Sequence, residues 1–397
     1  MCGIVAVLSR ERPVSLDAVA RATDALVSRG PDDEGTFVGG DGRVVLAHRR
    51  LSIVDVQGGR QPLLSEDGRT ALVVNGELYG TGALRASLVD RGHRFRTRSD
   101  SEVLLHLYEE RGLDAVLALR GEFAFVLWDE RNQRLVAGRD RFGIKPLCWA
   151  THDGALFVAS QAKALFAAGV PAGWDHDSVF QALSMQYTLP DRTLFSGVHV
   201  LRPGHLLVAE GGRIDVRPYW DLDLPVDPRA IDDHEAIETF RTSFDDAVRA
   251  RLVADVPVAF QLSGGLDSTA VAAVAAAART EPIDCFTVAF DADRETDRER
   301  YDERSIARET AAFLGARAHE IPVSDDTVET VLSAAIVAGE GIAINGHIAA
   351  KYVLSRAVRS AGRGPSRGAR RCDHPRRRGD ARGAARARRR TACGLAA

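Results

Sequence analysis

The sequence predicts two folded domains of different class: an α+β domain over residues 1–210 and a doubly wound α/β domain over 235–362. Three observations predict this. Up to about Ala209 the apolar residues come in short, strand-length runs broken by turns. From Glu235 onward strands and helices alternate. Between these regions Pro203, Pro218, Pro225 and Pro228 punctuate a looser stretch, and residues 211–234 read as a linker. A length of 397 residues is enough for two or three domains.

In the first domain the strand candidates are Ile4–Leu8, Val44–Ala47, Ala71–Val74, Phe123–Trp128, Leu135–Ala137 and Leu156–Ala159. The turns at 40–42 and 66–68, Gly-Asp-Gly and Glu-Asp-Gly, fit hairpin connections. Two helices intervene, near Leu16–Val27 and Ser101–Arg111. In the second of these Leu104, Leu105, Leu107 and Tyr108 fit a helix face better than alternation. In the second domain Glu235–Arg251 reads as a helix. Val256–Leu262 is nearly continuously apolar, as a strand buried on both faces requires. Thr269–Ala278 is alanine-rich and helical. A strand at Asp284–Phe290, a helix at Asp302–Leu314, a strand at Ala318–Val323 and helices at Thr327–Ala338 and Ile348–Ala361 complete the alternation.

Past Gly362 the text becomes Gly, Ala and Arg with almost no aliphatic residues. Such a segment buries no core and is expected to be disordered over 363–397. Its abruptness reads as a shifted reading frame in a GC-rich gene; a natural basic tail that binds nucleic acid is the alternative. The tail carries +10, which leaves −13 on the rest of a chain whose net charge is −3. An acidic body argues against a general nucleic-acid surface. No apolar run reaches the length of a membrane span, and the N-terminus lacks the pattern of a secretion signal, so a cytoplasmic location is expected. Five scattered cysteines (Cys2, Cys148, Cys285, Cys372 and Cys393) form no C-x-x-C pair, so neither a disulfide framework nor a structural zinc site is expected. The histidines, His48, His93 and His106 among them, show no metal-ligand spacing and are expected to be surface or core residues.

Cys2 directly follows Met1. Removal of Met1 would put an α-amine, with an ordinary pKa of about 7.7–8.0, on the same residue as the thiol. That amine can take the thiol proton, as in N-terminal threonine hydrolases. The second chemical signal is Ser263-Gly264-Gly265-Leu266-Asp267-Ser268, placed after a buried-type strand and before a helix. Backbone N–H groups and the helix dipole make such a loop an anion site.

Spaced motifs surround these two features. Arg29-Gly30-Pro31-Asp32-Asp33-Glu34-Gly35 is followed by His48-Arg49-Arg50-Leu51-Ser52-Ile53-Val54-Asp55, Val74-Asn75-Gly76-Glu77-Leu78-Tyr79, Ser99-Asp100-Ser101-Glu102 and Gly138-Arg139-Asp140-Arg141-Phe142-Gly143-Ile144-Lys145-Pro146-Leu147. With them the first 200 or so residues resemble class II, N-terminal-nucleophile glutamine amidotransferase domains. The resemblance implies an αββα sandwich in which Cys2 attacks glutamine. Arg50 would pair with the α-carboxylate, Glu77 and Asp100 would hold the α-ammonium, and Leu51, Ile53 and Val54 would line the slot. Asn75 and Gly76 would form the oxyanion hole.

The glycine loop is similar to that of N-type ATP pyrophosphatases. There Ser263, Gly264, Gly265 and Ser268 would grip pyrophosphate, Asp267 would bind Mg²⁺, and Leu262 and Val288 would contact the adenosine. Both domains in this order resemble glutamine-hydrolysing asparagine synthetases, which implies glutamine, aspartate and ATP as substrates and often a homodimer. The family's Gly-Glu-Gly-x-Asp-Glu loop, expected after Lys351–Arg356, does not occur here. The open alternatives are a glutaminase without synthetase activity, another carboxylate acceptor, or a nucleic-acid binder acting through its tail.

Overall fold

A computed structural model describes residues 1–224, 231–290, 303–340, 347–362 and 392–393. Contacts divide the chain into two units, Met1–Asp232 with Ile336–Asn345, and Asp233–Ala335 with Gly346–Ala397.

The first unit holds two six-stranded antiparallel sheets. One contains β1 (Gly3–Ser9), β2 (Asp33–Gly39), β3 (Val44–Arg50), β8 (Cys148–His152), β9 (Ala155–Ala159) and β10 (His199–Val200), in the order β10-β8-β9-β1-β3-β2. The other contains β4 (Leu63–Leu64), β5 (Thr70–Leu78), β6 (Gly121–Asp129), β7 (Arg134–Arg139), β11 (His205–Glu210) and β12 (Arg213–Pro218), in the order β12-β11-β7-β6-β5-β4. Alternate residues on the inner faces make the core between the sheets. Ile4, Ala6, Val44 and Leu46 of one meet Ala71, Val73, Ala124, Val126 and Leu207 of the other. Each buried Val, Leu or Ile there contributes about 1.5–3 kcal/mol.

The outer faces are covered by helices. Val19 and Ala22 of α1 (Leu16–Asp24) and Ala164 and Leu165 of α4 (Ala162–Ala168) pack on Val5, Val7 and Val45. Leu88 of α2 (Gly82–Asp90) and Val103, Leu104, Leu105 and Leu107 of α3 (Glu102–Arg111) pack on Leu72, Val74 and Phe125. The result is an αββα sandwich, as expected.

In the second unit β13 (Val258–Gln261), β14 (Asp284–Phe290) and β15 (Arg317–Val323) run parallel in the order β15-β14-β13. Val248 of α6 (Asp233–Ala250), Ala272 and Ala275 of α7 (Leu266–Ala277) and Ala307 and Ala311 of α8 (Arg304–Phe313) cover one face with Phe260 and Cys285. Leu354 and Val358 of α10 (His347–Ala361) cover the other, on Ala259 and Phe286. A parallel sheet with helices on both faces is the predicted doubly wound arrangement. Between them α9 (Asp325–Gly339) follows β15.

The structure holds elements that the sequence reading did not give, the strands β2, β4, β8, β10 and β11 among them. Residues 213–218, expected within the linker, form β12 and pair along β11. This edge strand tucks in little beyond Ile214, so its apolar signal is weak. Three helices were not anticipated: α2, α4 and α5 (His176–Met185). In α5 the apolar Phe180, Leu183 and Met185 are exposed, which blurs any amphipathic period. The expected disordered stretch 363–397 lies outside the described residues except for β16 (Ala392–Cys393), which pairs in parallel with Val258 and Ala259.

Candidate active site

Cys2 stands at the entry to β1, held by Arg29 Nε donating to its carbonyl at 2.8 Å. The Leu51 N–H donates to Sγ at 3.4 Å, and the thiol faces the Leu51 carbonyl at 3.7 Å. Burial pushes the thiol pKa up. The His48 ring, the N-terminal ammonium and the Leu51 N–H outweigh that effect and bring it down to about 7. His48 lies on β3, fully buried, its Nε2 at 3.0 Å from the Val74 carbonyl.

The thiol opens into a cleft lined by Arg50, Leu51, Ile53, Val54, Asn75, Gly76, Glu77 and Asp100, together with Met1, Gly59, Gln61, Ser99 and Lys145. All the residues expected to bind glutamine are thus gathered at one place. They arrive from the end of β3, the loop after it, the C-terminal half of β5 and the segment before α3.

Asn75 is 1 % exposed, and neither its side-chain oxygen nor its nitrogen has a partner. A buried amide is ordinarily hydrogen-bonded, and an orphan one calls for an explanation. Here it lines the cleft that holds the thiol. Gly76 answers a different constraint: a Cβ there would sit 2.1 Å from the Glu122 carbonyl oxygen on β6. Its lack of a side chain is demanded by the neighbouring strand before any ligand enters.

Arg50 donates to the carbonyls of Val54, Asp55 and Val56, and burial lowers its pKa. A Cβ on Gly59 would meet the Arg50 guanidinium at 2.6 Å, so glycine leaves the fork its room. Asp100 accepts from the Leu78 N–H and, at 3.3 Å, from the Ser99 hydroxyl. Burial raises the pKa values of both Asp100 and Glu77, with Lys145 acting against that rise at Glu77. Two desolvated carboxylates beside one slot favour a cationic guest.

Met1 also lines the cleft, and burial lowers the pKa of its α-ammonium to about 6. With Met1 in place the free volume is about 50 Å³. That is room for a few waters and not for an amino acid. A larger cavity of about 650 Å³ lies at the other end of β1, lined by Leu8, Arg10, Arg43 and Trp128, away from the thiol.

Residues 1–220 match the family model for the glutamine amidotransferase domain. The chain belongs to the glutamine amidotransferase family. Residues 239–363 match the asparagine synthase family model. The chain is 37% identical over 357 residues to amidase chry2 of Gibberella zeae, covering 83% of this chain and 52% of that protein. It is 38% identical over 285 residues to asparagine synthetase [glutamine-hydrolyzing] 3 of Bacillus subtilis, covering 70% of this chain and 45% of that protein. The chain therefore spans about half the length of the curated relatives it matches.

The second candidate site belongs to the asparagine synthase domain. Ser263–Ser268 joins β13 to α7. Gly264 has φ +82°, where a side chain is strained, and a Cβ would also press on Ile306 at 3.1 Å. The Ser263 and Ser268 hydroxyls meet at 3.1 Å, and the Gly265 N–H donates to Ser263 Oγ at 3.3 Å. Asp267 lies exposed in the first turn of α7. Leu262 is buried, its N–H donating to the Phe286 carbonyl at 2.9 Å and its carbonyl accepting from Thr287 Oγ1 at 2.6 Å. Val288 is only partly buried and packs near Leu354 and Val358. A bare loop with hydroxyls and backbone N–H groups at a helix N-terminus suits phosphate, and the Asp267 carboxylate suits a hard cation shared with phosphate oxygens.

The residues missed from sequence are informative. His48 and Lys145 stand inside quoted motifs, yet only the folded chain shows that they reach the thiol and the cleft.

Proposed function

We propose that this chain carries out the glutamine-hydrolysing half of glutamine-dependent asparagine synthesis and supplies ammonia to an ATP-activated aspartate. The observation that carries the reading is the orphan buried amide of Asn75, in one cleft with a thiol whose pKa is lowered to about 7.

Glutamine enters with its α-carboxylate on Arg50 and its α-ammonium on Glu77 and Asp100. The Cys2 thiolate forms a bond to the side-chain carbonyl carbon. The electron pair moves to the carbonyl oxygen, which Asn75 Nδ2 and the Gly76 N–H stabilise. The α-amine of processed Cys2 has taken the thiol proton; as the tetrahedral species collapses, the C–N bond breaks and the resulting α-ammonium gives that proton to the departing nitrogen. Ammonia leaves, and water then cleaves the thioester to glutamate. Met1 removal does two things in this scheme: it creates that amine on Cys2 and vacates the slot.

In the second domain ATP would rest its pyrophosphate on Ser263, Gly264, Gly265 and Ser268, with Leu262 and Val288 beside the adenosine. Asp267 would hold Mg²⁺, which supplies charge neutralisation at the phosphates. The reaction there would join the ammonia to aspartate activated as its adenylate.

The test is a paired assay of the Cys2→Ala chain. Glutamate release and glutamine-dependent asparagine formation should vanish, while any asparagine formation from added ammonia persists. Undiminished glutamate release by Cys2→Ala would contradict the assignment.

A further inference from the structure

Away from the cleft, four side chains of the first unit converge in a pattern that neither domain's chemistry uses. Glu66 lies in the turn between β4 and β5, and His93 lies just past α2. His106 and Glu109 are one turn apart on α3. One ligand atom from each falls within 4.8 Å of all the others. His106 Nδ1 is 2.8 Å from a Glu109 oxygen and 3.8 Å from Glu66. His93 Nδ1 is 3.6 Å from that Glu109 oxygen and 3.8 Å from Glu66. Four donors bound tetrahedrally to zinc at about 2.0–2.1 Å sit about 3.3 Å apart, so shifts of about an ångström close this set on a cation.

Two features separate the group from an ordinary ion-pair cluster. Both histidines turn Nδ1 inward, and His93 turns Nε2 to a further carboxylate, Glu110 at 3.0 Å; the buried His106 Nε2 makes no hydrogen bond and stands 3.7 Å from Glu102. An imidazole that ligates a metal characteristically sends its other N–H to a carboxylate in this way. The frame is also fixed by main chain. The Arg94 N–H donates to Glu66 at 2.9 Å, and the Arg96 and Thr97 N–H groups donate to Glu102 at 2.7 Å each. The His106 side chain is 1% exposed and that of Glu66 36%, so the group is anchored inside and reachable from outside.

We propose that Glu66, His93, His106 and Glu109 form a site for a zinc-class divalent cation. Two imidazole nitrogens with two carboxylates favour zinc over magnesium or calcium, and four protein ligands make a closed, structural site. The cation would tie the β4–β5 turn and the segment after α2 to α3.

The test uses the full chain carrying Cys2→Ala, which removes the N-terminal thiol as a rival ligand. The chelator-stripped protein is titrated with Zn²⁺ calorimetrically, and Co²⁺ is added to a second sample for its visible spectrum. The account predicts an equivalent of zinc whose affinity falls about 100-fold or more on adding His93→Gln or Glu109→Gln. It also predicts tetrahedral Co²⁺ bands, and a zinc-dependent rise in melting temperature that His93→Gln abolishes. The inference is overturned by equal zinc binding in parent and both variants, or by no binding and no Co²⁺ bands in the parent. The four groups are then a hydrogen-bonded cluster with no metal.

Discussion

At the level of single residues Cys2 and Asn75 bear the proposed chemistry. A free thiol near neutrality is only a few per cent thiolate. With Met1 in place the thiol pKa is brought down to about 7, and His48 and the Leu51 N–H, which lower it, remain beside it when Met1 is removed. The rate of glutamine hydrolysis should therefore rise as pH passes upward through about 7 and level off above it; a stopped-time glutamate assay across pH 5.5–9 checks this. Asn75 makes a different prediction. Its amide has no protein partner to lose, so Asn75→Ala should leave thermal stability nearly unchanged. If it stabilises the oxyanion, kcat for glutamine hydrolysis should fall about 10²–10³-fold. A large loss of melting temperature with unaltered kcat would assign Asn75 to structure. Most of this cleft was legible in the sequence, because Cys2, Arg50, Asn75, Glu77 and Asp100 stand in short motifs. The roles of His48 and Lys145 were not. A histidine on β3 shows in sequence neither its burial nor the thiol 46 residues earlier that it touches, because that adjacency is made only when β1 pairs with β3.

At the level of elements the turns and strand ends carry the chemistry. Gly264 holds φ +82° between β13 and α7, so Gly264→Ala should cost about 1–2 kcal/mol and spoil the loop. Urea unfolding followed with ATP-binding titration checks both effects. In the same sheet Asp284 is bridged by Arg317 at 2.7 Å and faces His319 at 2.8 Å. The hydrogen bonds from Arg317 come first, and burial acts against them; the carboxyl is held down at about 2. Because the folded pKa is depressed, that stabilisation is present above the ordinary carboxylate range and is lost as pH falls from about 4 through about 2. Urea midpoints of wild type and Asp284→Asn should therefore converge on acidification over that window. Elements that bury a continuous apolar face, such as β6 and β14, were evident from sequence. Those that did not announce themselves bury little or run short: β12 tucks in Ile214, and α4 has seven residues.

For the whole molecule, the chain divides into two units with separate cores, and the proposed function assigns one half-reaction to each. Cys2→Ala should silence glutamine use without touching ATP binding at Ser263–Ser268, and Gly264→Ala should do the reverse. The order of the two domains was readable because a motif-rich antiparallel region gives way to a strand-helix alternation. The grouping of Glu66, His93, His106 and Glu109 was not, since its members come from three segments that meet only when α3 packs on β5. The central claim is that a processed N-terminal cysteine is the nucleophile. The most direct measurement is peptide mass mapping of the full chain after reaction with a γ-diazoketone analogue of glutamine. The account predicts a stoichiometric adduct on the Cys2 sulfur of an N-terminal peptide that lacks Met1. An active chain that keeps Met1, or carries its adduct on another residue, would contradict it.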